Sequence, residues 1–453
     1  GNTSRSSKQL ELIFWITTDT GPVKLVFNQQ QSVCFVLLED LPSVTAILEV
    51  AFGSEEAGRW QTKSLSLQTF DHNKVQGIYF SEQRNLYRAR EILREHGLVA
   101  LEADIQPTDR FLMERFITGP ISIEGEAVER NGFREFTNPR VKSSDYVPRY
   151  KVLSLDIETS LTGDHLYSIA LLTNHMAEQE GCTQQRVFML ADTSIDNAPE
   201  YLVACHSERE LMISFMQWLH GYDPDIIIGW NVINFDLRFL QRKADQLQLR
   251  FNIGRGQGLL DWRSSRGDNE HFTLLVPGRV VLDGIDTLRS ATYSFESFSL
   301  QYVSNALLKR GKLIHDADDR GEEITRLFNE DKSVLAAYNL EDCQLVWDIF
   351  KTTSLIDFAV ERAGLTGLAM DRFGGSVASF DNRYLPRLHR AGYVAPNLSD
   401  DPQGIGSPGG YVMDSQPGIY DHVLVLDFKS LYPSIIRTFK IDPMALAVGL
   451  DLT

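Results

Sequence analysis

The chain has 453 residues, 43% of them hydrophobic, and a formal net charge of −17 at pH 7. This length allows two to four domains, and the acidic balance argues against a simple nucleic-acid coat protein, which would be basic. An enzyme that holds nucleic acid through metal ions is still allowed, because clustered carboxylates bind divalent cations and those cations bind phosphates. We find no apolar run of membrane-spanning length, and the four scattered cysteines indicate neither a zinc site nor a disulfide framework.

Strand and helix patterns alternate along the chain and predict a mixed α/β fold. Near the amino terminus, two β-rich runs around a Gly-Pro turn predict a hairpin over residues 15–27. A helix over residues 87–98 is expected to close at Gly97. A polar stretch with two prolines ends near Pro148 and marks a boundary. We therefore predict an N-terminal α+β domain over residues 1–147.

A predicted strand, "KVLSLDIET" at residues 151–159, opens the second domain and carries two acids. Asp156 and Glu158 are two positions apart, so their side chains share one face of the strand. Two neighbouring carboxylates raise each other's pKa unless a cation lies between them. The D-x-E triplet alone favours an ordinary exposed strand edge, because such triplets are common.

A second acidic position follows three isoleucines, residues 226–228, which predict a buried strand. Asn231 lies in the next loop, and Asp236 lies at the start of a helix whose apolar residues recur at helical spacing. Aspartate is favoured as a helix N-cap. This segment by itself supports an N-cap and a metal ligand equally well.

A third acidic position lies in a long predicted helical region from Lys332 to about Ala363. The apolar stripe of this region comprises Val334, Tyr338, Leu345 and Ile349, with Asp342 in line. A buried carboxylate needs a partner or a metal, because leaving it unpaired costs several kcal/mol. We favour a metal ligand with the Tyr338 hydroxyl beside it over an ion pair with a distant side chain.

The last informative stretch, "VLVLDFKSLYPSII" at residues 423–436, predicts a buried strand over residues 423–426 that ends in Asp427. Pro433 is expected to start a helix. An acid between a buried strand and a helix can hold a metal near backbone N–H groups that bind phosphate. A plain strand–turn–helix fits the segment as well.

Taken in order, the patterns D-x-E, N-x-x-x-F-D and Y-x-x-x-D resemble the proofreading 3′→5′ exonuclease domain of DNA polymerases. That likeness implies a ribonuclease-H-like mixed sheet flanked by helices. The string D-F-x-S-L-Y-P-S-I-I at residues 427–436 resembles the first polymerase motif of family B DNA polymerases. The resemblance implies an exonuclease domain over residues 148–357, a helical return segment and linker over 358–405, and the start of a polymerase palm over 406–453.

The resemblance also implies roles for the exonuclease residues. The four acids of the motifs would hold two Mg²⁺ or Mn²⁺ ions: Asp156, Glu158, Asp236 and Asp342. Tyr338 would orient the attacking water, and Asn231 would support the terminal nucleotides. Four carboxylates are the hard oxygen ligands that these ions prefer, and two such ions can serve both ends of an in-line displacement at phosphorus.

In the palm string, the resemblance makes Asp427 a metal ligand for nucleotide addition. The backbone from Phe428 to Leu431 would meet the triphosphate, and Tyr432 would pack under the sugar and reject a ribose 2′-OH. Two further motifs of the family, a lysine-bearing fingers helix and an aspartate pair, do not follow in this sequence. We therefore expect the chain to be the amino-terminal part of such a polymerase and unable to extend a primer.

The expected partners are a single-stranded 3′ end and primer–template DNA, with deoxynucleotides for the parent protein in a bacterial cytoplasm, on the nucleoid. A sliding clamp is a candidate partner through a region beyond Thr453. Two alternatives stay open at this point. The palm string argues against a free-standing exonuclease, and the four retained acids argue against a catalytically silent nucleic-acid-binding module.

Overall fold

The computed structural model describes residues 2–3, 9–175, 184–193, 195, 197–264, 271–310, 320–397, 411 and 413–450. Its strands are β1 (Asn2–Thr3), β2 (Leu10–Thr18), β3 (Gly21–Gln30), β4 (Ser32–Leu37), β5 (Trp60–Gln68), β6 (Lys74–Phe80), β7 (Ile121–Glu124), β8 (Ala127–Arg130), β9 (Phe133–Thr137), β10 (Arg140–Ser143), β11 (Lys151–Thr159), β12 (Leu166–His175), β13 (Gln185–Leu190), β14 (Leu202–Cys205), β15 (Ile226–Gly229), β16 (Asp261–Ser264), β17 (Phe272–Leu275) and β18 (Val280–Asp283).

The helices are interspersed among these strands. They are α1 (Leu41–Phe52), α2 (Gln83–Glu95), α3 (Pro107–Glu114), α4 (Glu208–Tyr222), α5 (Arg238–Gln246), α6 (Gly284–Ser290), α7 (Leu300–Leu308), α8 (Arg320–Glu330), α9 (Lys332–Thr352), α10 (Leu355–Thr366), α11 (Ser376–Arg390), α12 (Leu431–Phe439) and α13 (Pro443–Leu450). The predicted mixed α/β class is confirmed. Among the described residues, no helix combines the length and the apolar character that a membrane span requires.

The chain divides into two compact units. Unit 1 comprises Gly1–Thr3, Leu12–Asn28 and Arg115–Asn382, and unit 2 comprises Ser4–Glu11, Gln29–Glu114 and Arg383–Thr453. Each unit is therefore assembled from separate stretches of chain. The domain boundaries at 147/148 and 357/358 stay predictions, and the boundary at 405/406 lies outside the described residues.

The larger sheet of unit 1 positions the acidic residues. Its six strands run in the order β14, β13, β12, β11, β15 and β18. Strand β11 lies inside this sheet, antiparallel to β12 and parallel to β15. One apolar core on this sheet includes residues of α7 and α9, and a second includes residues of α4 and α5. A parallel strand pair buried on both faces explains the continuous isoleucine run of β15.

The two faces of strand β11 carry different kinds of side chain, because side chains alternate along a strand. Leu153, Leu155 and Ile157 belong to the core that contains α4 and α5. The alternate position Ser154 donates a hydrogen bond to the backbone carbonyl of Cys343, in α9, at 2.9 Å. The face toward α9 is therefore the one that carries the predicted acids. The strand register shifts directly after Glu158, an irregularity of the kind that re-aims side chains beside functional sites.

Helix α9 carries the second set of predicted residues. It begins at an Asp331 cap, whose carboxylate accepts hydrogen bonds from the backbone N–H groups of Ser333 and Val334 at 3.1 Å. Tyr338, Asp342, Leu345 and Ile349 are buried, as the stripe predicts. Val334 is 48% exposed, so its assignment to the stripe is wrong; it lies in the first turn.

The helical region predicted from Lys332 to about Ala363 is confirmed, and it consists of two helices. Helix α9 ends at Thr352 and α10 begins at Leu355. Ser354, between them, has a left-handed backbone with φ of 50°, which cannot continue a right-handed helix. The apolar pattern carries through this break because both helices contribute to one core. For that reason the sequence pattern alone does not reveal it.

The predicted N-terminal hairpin and helix are both present. Strands β2 and β3 are neighbours in a five-stranded sheet of order β1, β2, β3, β9 and β8. Unit 2 has its own three-stranded antiparallel sheet, β4, β6 and β5, whose core includes residues of α1 and α2. Helix α2 ends just before Gly97, which has a positive φ of 74°. The cysteines Cys34, Cys205 and Cys343 are free and buried; Cys182 lies outside the described residues.

The buried strand predicted over residues 423–426 is wrong. These four residues form no strand, and their relative exposures range from 65% to 91%. A strand requires a neighbouring strand to satisfy its backbone groups, and no described strand pairs with this segment. The following helix is present as α12, which begins at Leu431, two residues before Pro433.

Gly229 gives a test of how tightly the central strands pack. A Cβ at this position would lie 2.6 Å from the Val232 Cβ and 2.9 Å from the Leu155 carbonyl oxygen. Gly229→Ala is therefore expected to destabilise unit 1 by about 1–3 kcal/mol through overpacking, measured by calorimetric unfolding. Gly221→Ala is the matched control, because nothing lies within 4 Å of that Cβ. An unchanged transition in Gly229→Ala would contradict this packing.

Candidate active site

Three of the predicted acids meet at one place on the α9 face of the sheet. Asp156, Glu158 and Asp342 each offer a carboxylate oxygen, and these oxygens lie within 4.8 Å of one another. Glu158 and Asp342 are buried and Asp156 is half-buried. A strand and a helix that are far apart in sequence thus bring their carboxylates together, as the ordered motifs predict.

The fourth acid, Asp236, lies next to the strand that carries the first two. It is buried within a single π-helical turn, Ile233–Leu237, and one carboxylate oxygen accepts a hydrogen bond from the backbone N–H of Ile157 at 3.1 Å. It is therefore not a helix N-cap, and single π-helical turns are frequent at functional sites. Burial first, and then the negative charge of Asp156, raises the pKa of Asp236 well above its ordinary value. Asp236 is not among the three carboxylates that lie within 4.8 Å.

The thiol of Cys343 lies close to the converging acids. Its Sγ lies 3.5 Å from the Ala170 carbonyl oxygen, on the neighbouring strand β12. Burial raises the pKa of this thiol well above its usual range, and the negative charges of Asp156, Asp342 and Asp236 raise it further. The negative charges of three of the four predicted acids therefore act on this one buried thiol. A raised pKa and burial make this thiol less reactive than an exposed cysteine thiol.

Tyr338 and Asn231 differ in their surroundings. Tyr338 is buried one helical turn before Asp342, on the same face of α9. Asn231 is exposed in the loop after β15 and has a left-handed φ of 58°, a conformation that asparagine tolerates better than most residues. Its backbone carbonyl accepts a hydrogen bond from the Phe235 N–H at 2.9 Å. Asn231 thus begins the turn that contains Asp236.

Two polar residues at the site are absent from the sequence prediction. Asn339 is completely buried, and its side-chain amide donates a hydrogen bond to Asp156 Oδ2 at 2.7 Å. Asp283 ends β18 and caps α6, where its Oδ1 accepts from the Ile285 N–H at 2.9 Å. Asn339 directly follows Tyr338 and precedes Asp342 by three positions, so helical spacing is the signal that could have found it.

The donor set fits a divalent metal ion. Three carboxylates within 4.8 Å are hard oxygen ligands of the kind that Mg²⁺ and Mn²⁺ prefer. Like charges this close raise one another's pKa unless a cation lies between them. Asp156, Glu158 and Asp342 are therefore the described residues best placed to hold a metal.

The predicted palm residues belong to unit 2 and are exposed. Asp427, Phe428, Leu431 and Tyr432 are exposed. Among the described residues, Asp427 belongs to no cluster of three potential metal ligands. Their assigned roles in nucleotide addition stay predictions.

Two models of known protein families match the chain, one over the segment that carries three of the four predicted acids and one over the segment that carries the predicted palm residues. The family model "DNA polymerase family B, exonuclease domain" matches residues 99–303, and the model "DNA polymerase family B" matches residues 377–449. The first match contains Asp156, Glu158 and Asp236, and the second contains Asp427. The chain belongs to the family B DNA polymerases.

Within this family the chain is similar to bacterial DNA polymerase II. It is 45% identical over 446 residues to DNA polymerase II of Escherichia coli (strain K12), covering 97% of this chain and 54% of that relative. The sequence segments 109–120, 370–380 and 389–398 indicate the same likeness. It is 26% identical over 457 residues to a DNA polymerase of Thermococcus litoralis, covering 95% of this chain and 24% of that one.

A solved structure supports the fold. The family B DNA polymerase from the hyperthermophilic archaeon Pyrobaculum calidifontis superposes with a TM-score of 0.69 at 20% identity, over 98% of this chain and 56% of that one. The chain thus spans about half the length of the E. coli relative and of this archaeal structure.

Asp283 provides a pH-dependent test of the electrostatics around the site. Burial, and then the charge of Asp286, raises the pKa of Asp283 to about 6, above the ordinary value of an aspartate. Because this pKa is higher in the folded chain than in the unfolded chain, the folded chain binds the proton more tightly. The stability that this proton provides is therefore lost as the pH rises toward and through 6.

Asp283→Asn keeps a capping oxygen and removes the ionisation. Its free energy of unfolding relative to wild type should rise by about 1–1.5 kcal/mol between pH 5 and pH 8, measured by urea unfolding at each pH. A pH-independent difference for Asp283→Asn would contradict the raised pKa.

Proposed function

We propose that the protein is a DNA-directed DNA polymerase with a metal-dependent 3′→5′ proofreading exonuclease, and that this chain carries the exonuclease site. The observation that carries the proposal is the cluster of Asp156, Glu158 and Asp342 within a chain of family B. The cluster argues against a silent binding module, because mutually repelling acids serve no purpose there. The match over residues 377–449 argues against a free-standing exonuclease.

In this proposal the carboxylates of Asp156, Glu158 and Asp342 bind two Mg²⁺ or Mn²⁺ ions, with Asp236 completing the ligand set. When bound, two such ions stabilise the attacking and leaving oxygens of an in-line displacement at phosphorus. The Ile157 N–H holds one oxygen of Asp236. That contact orients the Asp236 carboxylate beside strand β11.

The remaining site residues act on the water and the DNA end. Tyr338 orients the attacking water through its hydroxyl, one turn from Asp342 on the same buried face. The exposed Asn231 contacts the terminal nucleotides of a single-stranded 3′ end. The chain has a net charge of −17, so metal ions rather than a basic surface would hold the phosphates at this site.

Nucleotide addition belongs to the longer protein in this proposal. There, Asp427 binds metal, the backbone from Phe428 to Leu431 meets the triphosphate, and Tyr432 selects the deoxyribose. We propose that the longer protein works in replication and repair on the nucleoid of a bacterial cytoplasm, with a sliding clamp as a candidate partner. Similarity to a bacterial DNA polymerase supports the polymerase role.

The first test is exonuclease activity. Single-stranded DNA labelled at its 3′ end should lose the label as mononucleotide in Mg²⁺, which gives the direction of hydrolysis. Asp156→Ala with Glu158→Ala should reduce the rate at least about 100-fold, because even residues that support metal ligands commonly cost that much. The readout is label release over time.

Asp427→Ala is the matched control. It also removes an acid, but one that is exposed and outside the cluster, so it should keep the full exonuclease rate. Hydrolysis that survives in the double variant, or in excess EDTA, would rule out the proposed site.

The second test is primer extension by the 453-residue chain. We propose that it adds no nucleotides, because Asp427 lacks clustered carboxylate neighbours among the described residues and phosphoryl transfer depends on positioning and charge stabilisation. A labelled primer–template with four dNTPs and Mg²⁺ is followed in the Asp156→Ala, Glu158→Ala background, so that degradation cannot mask synthesis. Extension by even a few nucleotides, free of host polymerase, would contradict this.

A further inference from the structure

A buried amide contacts the acidic cluster from the helix side. Asn339 has no solvent exposure, and its Nδ2 donates to Asp156 Oδ2 at 2.7 Å. A hydrogen bond from a neutral donor to a carboxylate is charge-assisted, and such bonds are stronger than those between neutral groups. The amide thus stabilises Asp156 as a carboxylate and restricts its rotation.

The amide is held in that orientation from its other end. Ser168 is also fully buried, and its hydroxyl donates to Asn339 Oδ1 at 2.8 Å. Ser168 lies on β12 directly opposite Glu158 of β11. Since the amide oxygen accepts from Ser168, the NH₂ group faces Asp156. Ser168, Asn339 and Asp156 therefore form a chain of hydrogen bonds that links β12, α9 and β11.

We propose that Asn339 is a positioning residue for the metal site: its hydrogen bond holds the Asp156 carboxylate in one orientation beside Glu158 and Asp342, and Ser168 holds Asn339 in turn. This inference rests on the proposed metal site. A neutral amide suits the role, because it steadies the carboxylate without a full positive charge that would repel the cation. Groups that orient metal ligands in this way commonly contribute 10–100-fold to metal affinity or activity.

The competing explanation is a buried asparagine that only satisfies its own polar atoms. The chain offers a matched example in Asn397, a buried asparagine of unit 2. Its Nδ2 donates to the Ala100 carbonyl at 2.6 Å and its Oδ1 accepts from the Ala103 N–H at 2.8 Å. Removing either amide leaves buried groups unsatisfied and should lower stability. Only Asn339 should also change the affinity for a metal ion.

The test is direct Mn²⁺ binding at one fixed pH, followed by the electron paramagnetic resonance signal of free Mn²⁺, with the Mn²⁺-induced rise in melting temperature as a second readout. Asn339→Leu should raise the Mn²⁺ dissociation constant about tenfold. Ser168→Ala keeps the Asn339 amide as a donor to Asp156 but no longer holds its orientation, so it should raise the dissociation constant less. Asn397→Leu should leave it within twofold of wild type.

Activity provides a further readout that a purely structural role would not move. Exonuclease kcat in Asn339→Leu should fall at limiting Mn²⁺ and recover at saturating Mn²⁺, with KM for single-stranded DNA unchanged. If Asn339→Leu does not fold, Asn339→Ala and Ser168→Ala carry the same comparison. Wild-type Mn²⁺ affinity in these folded variants would overturn the proposal.

Asp156→Asn separates this proposal from the proposed function. If wild type binds Mn²⁺ and Asp156→Asn does not, the metal site stands, and the Asn339 variants alone decide the positioning role. If wild type binds no Mn²⁺, or Asp156→Asn binds it normally, the proposed metal site itself is wrong and the positioning role is overturned with it.

Discussion

The repulsion between buried carboxylates is the constraint on which the site depends. Asp156, Glu158 and Asp342 lie within 4.8 Å of one another, and Glu158 and Asp342 are buried. At this separation two unit charges repel by about 3–4 kcal/mol for an effective dielectric constant near 20. A fold that holds such charges together must compensate them, and the surrounding structure provides several ways to do so.

The alternation of β11 makes this compensation possible. Leu153, Leu155 and Ile157 anchor the strand in an apolar core, so the opposite face is available for polar groups. On that side the compensating donors are neutral: the Ile157 N–H for Asp236 and the Asn339 amide for Asp156. Neutral donors reduce the repulsion but leave the site negative, which is the condition for binding a divalent cation.

Short-range periodicity accounts for what the sequence predicts correctly. A period of two places Asp156 and Glu158 on one face, and helical spacing places Asp342 on the buried side with Tyr338. Periodicity does not reveal partners from distant elements, so the Asn339–Asp156 bond and the cap at Asp283 are visible only in the folded chain. It also fails at residues 423–426, whose apolar side chains predict a strand although no described strand pairs with them.

Crystals of the wild-type chain grown with Mn²⁺ would test the central claim most directly, through anomalous scattering near the manganese absorption edge. The account predicts peaks among the carboxylates of Asp156, Glu158 and Asp342, with a second ion about 4 Å from the first, and their loss in Asp342→Asn. The account would be contradicted by strong peaks only at other positions. It would also be contradicted if no peaks appeared although the protein is saturated with Mn²⁺ in solution.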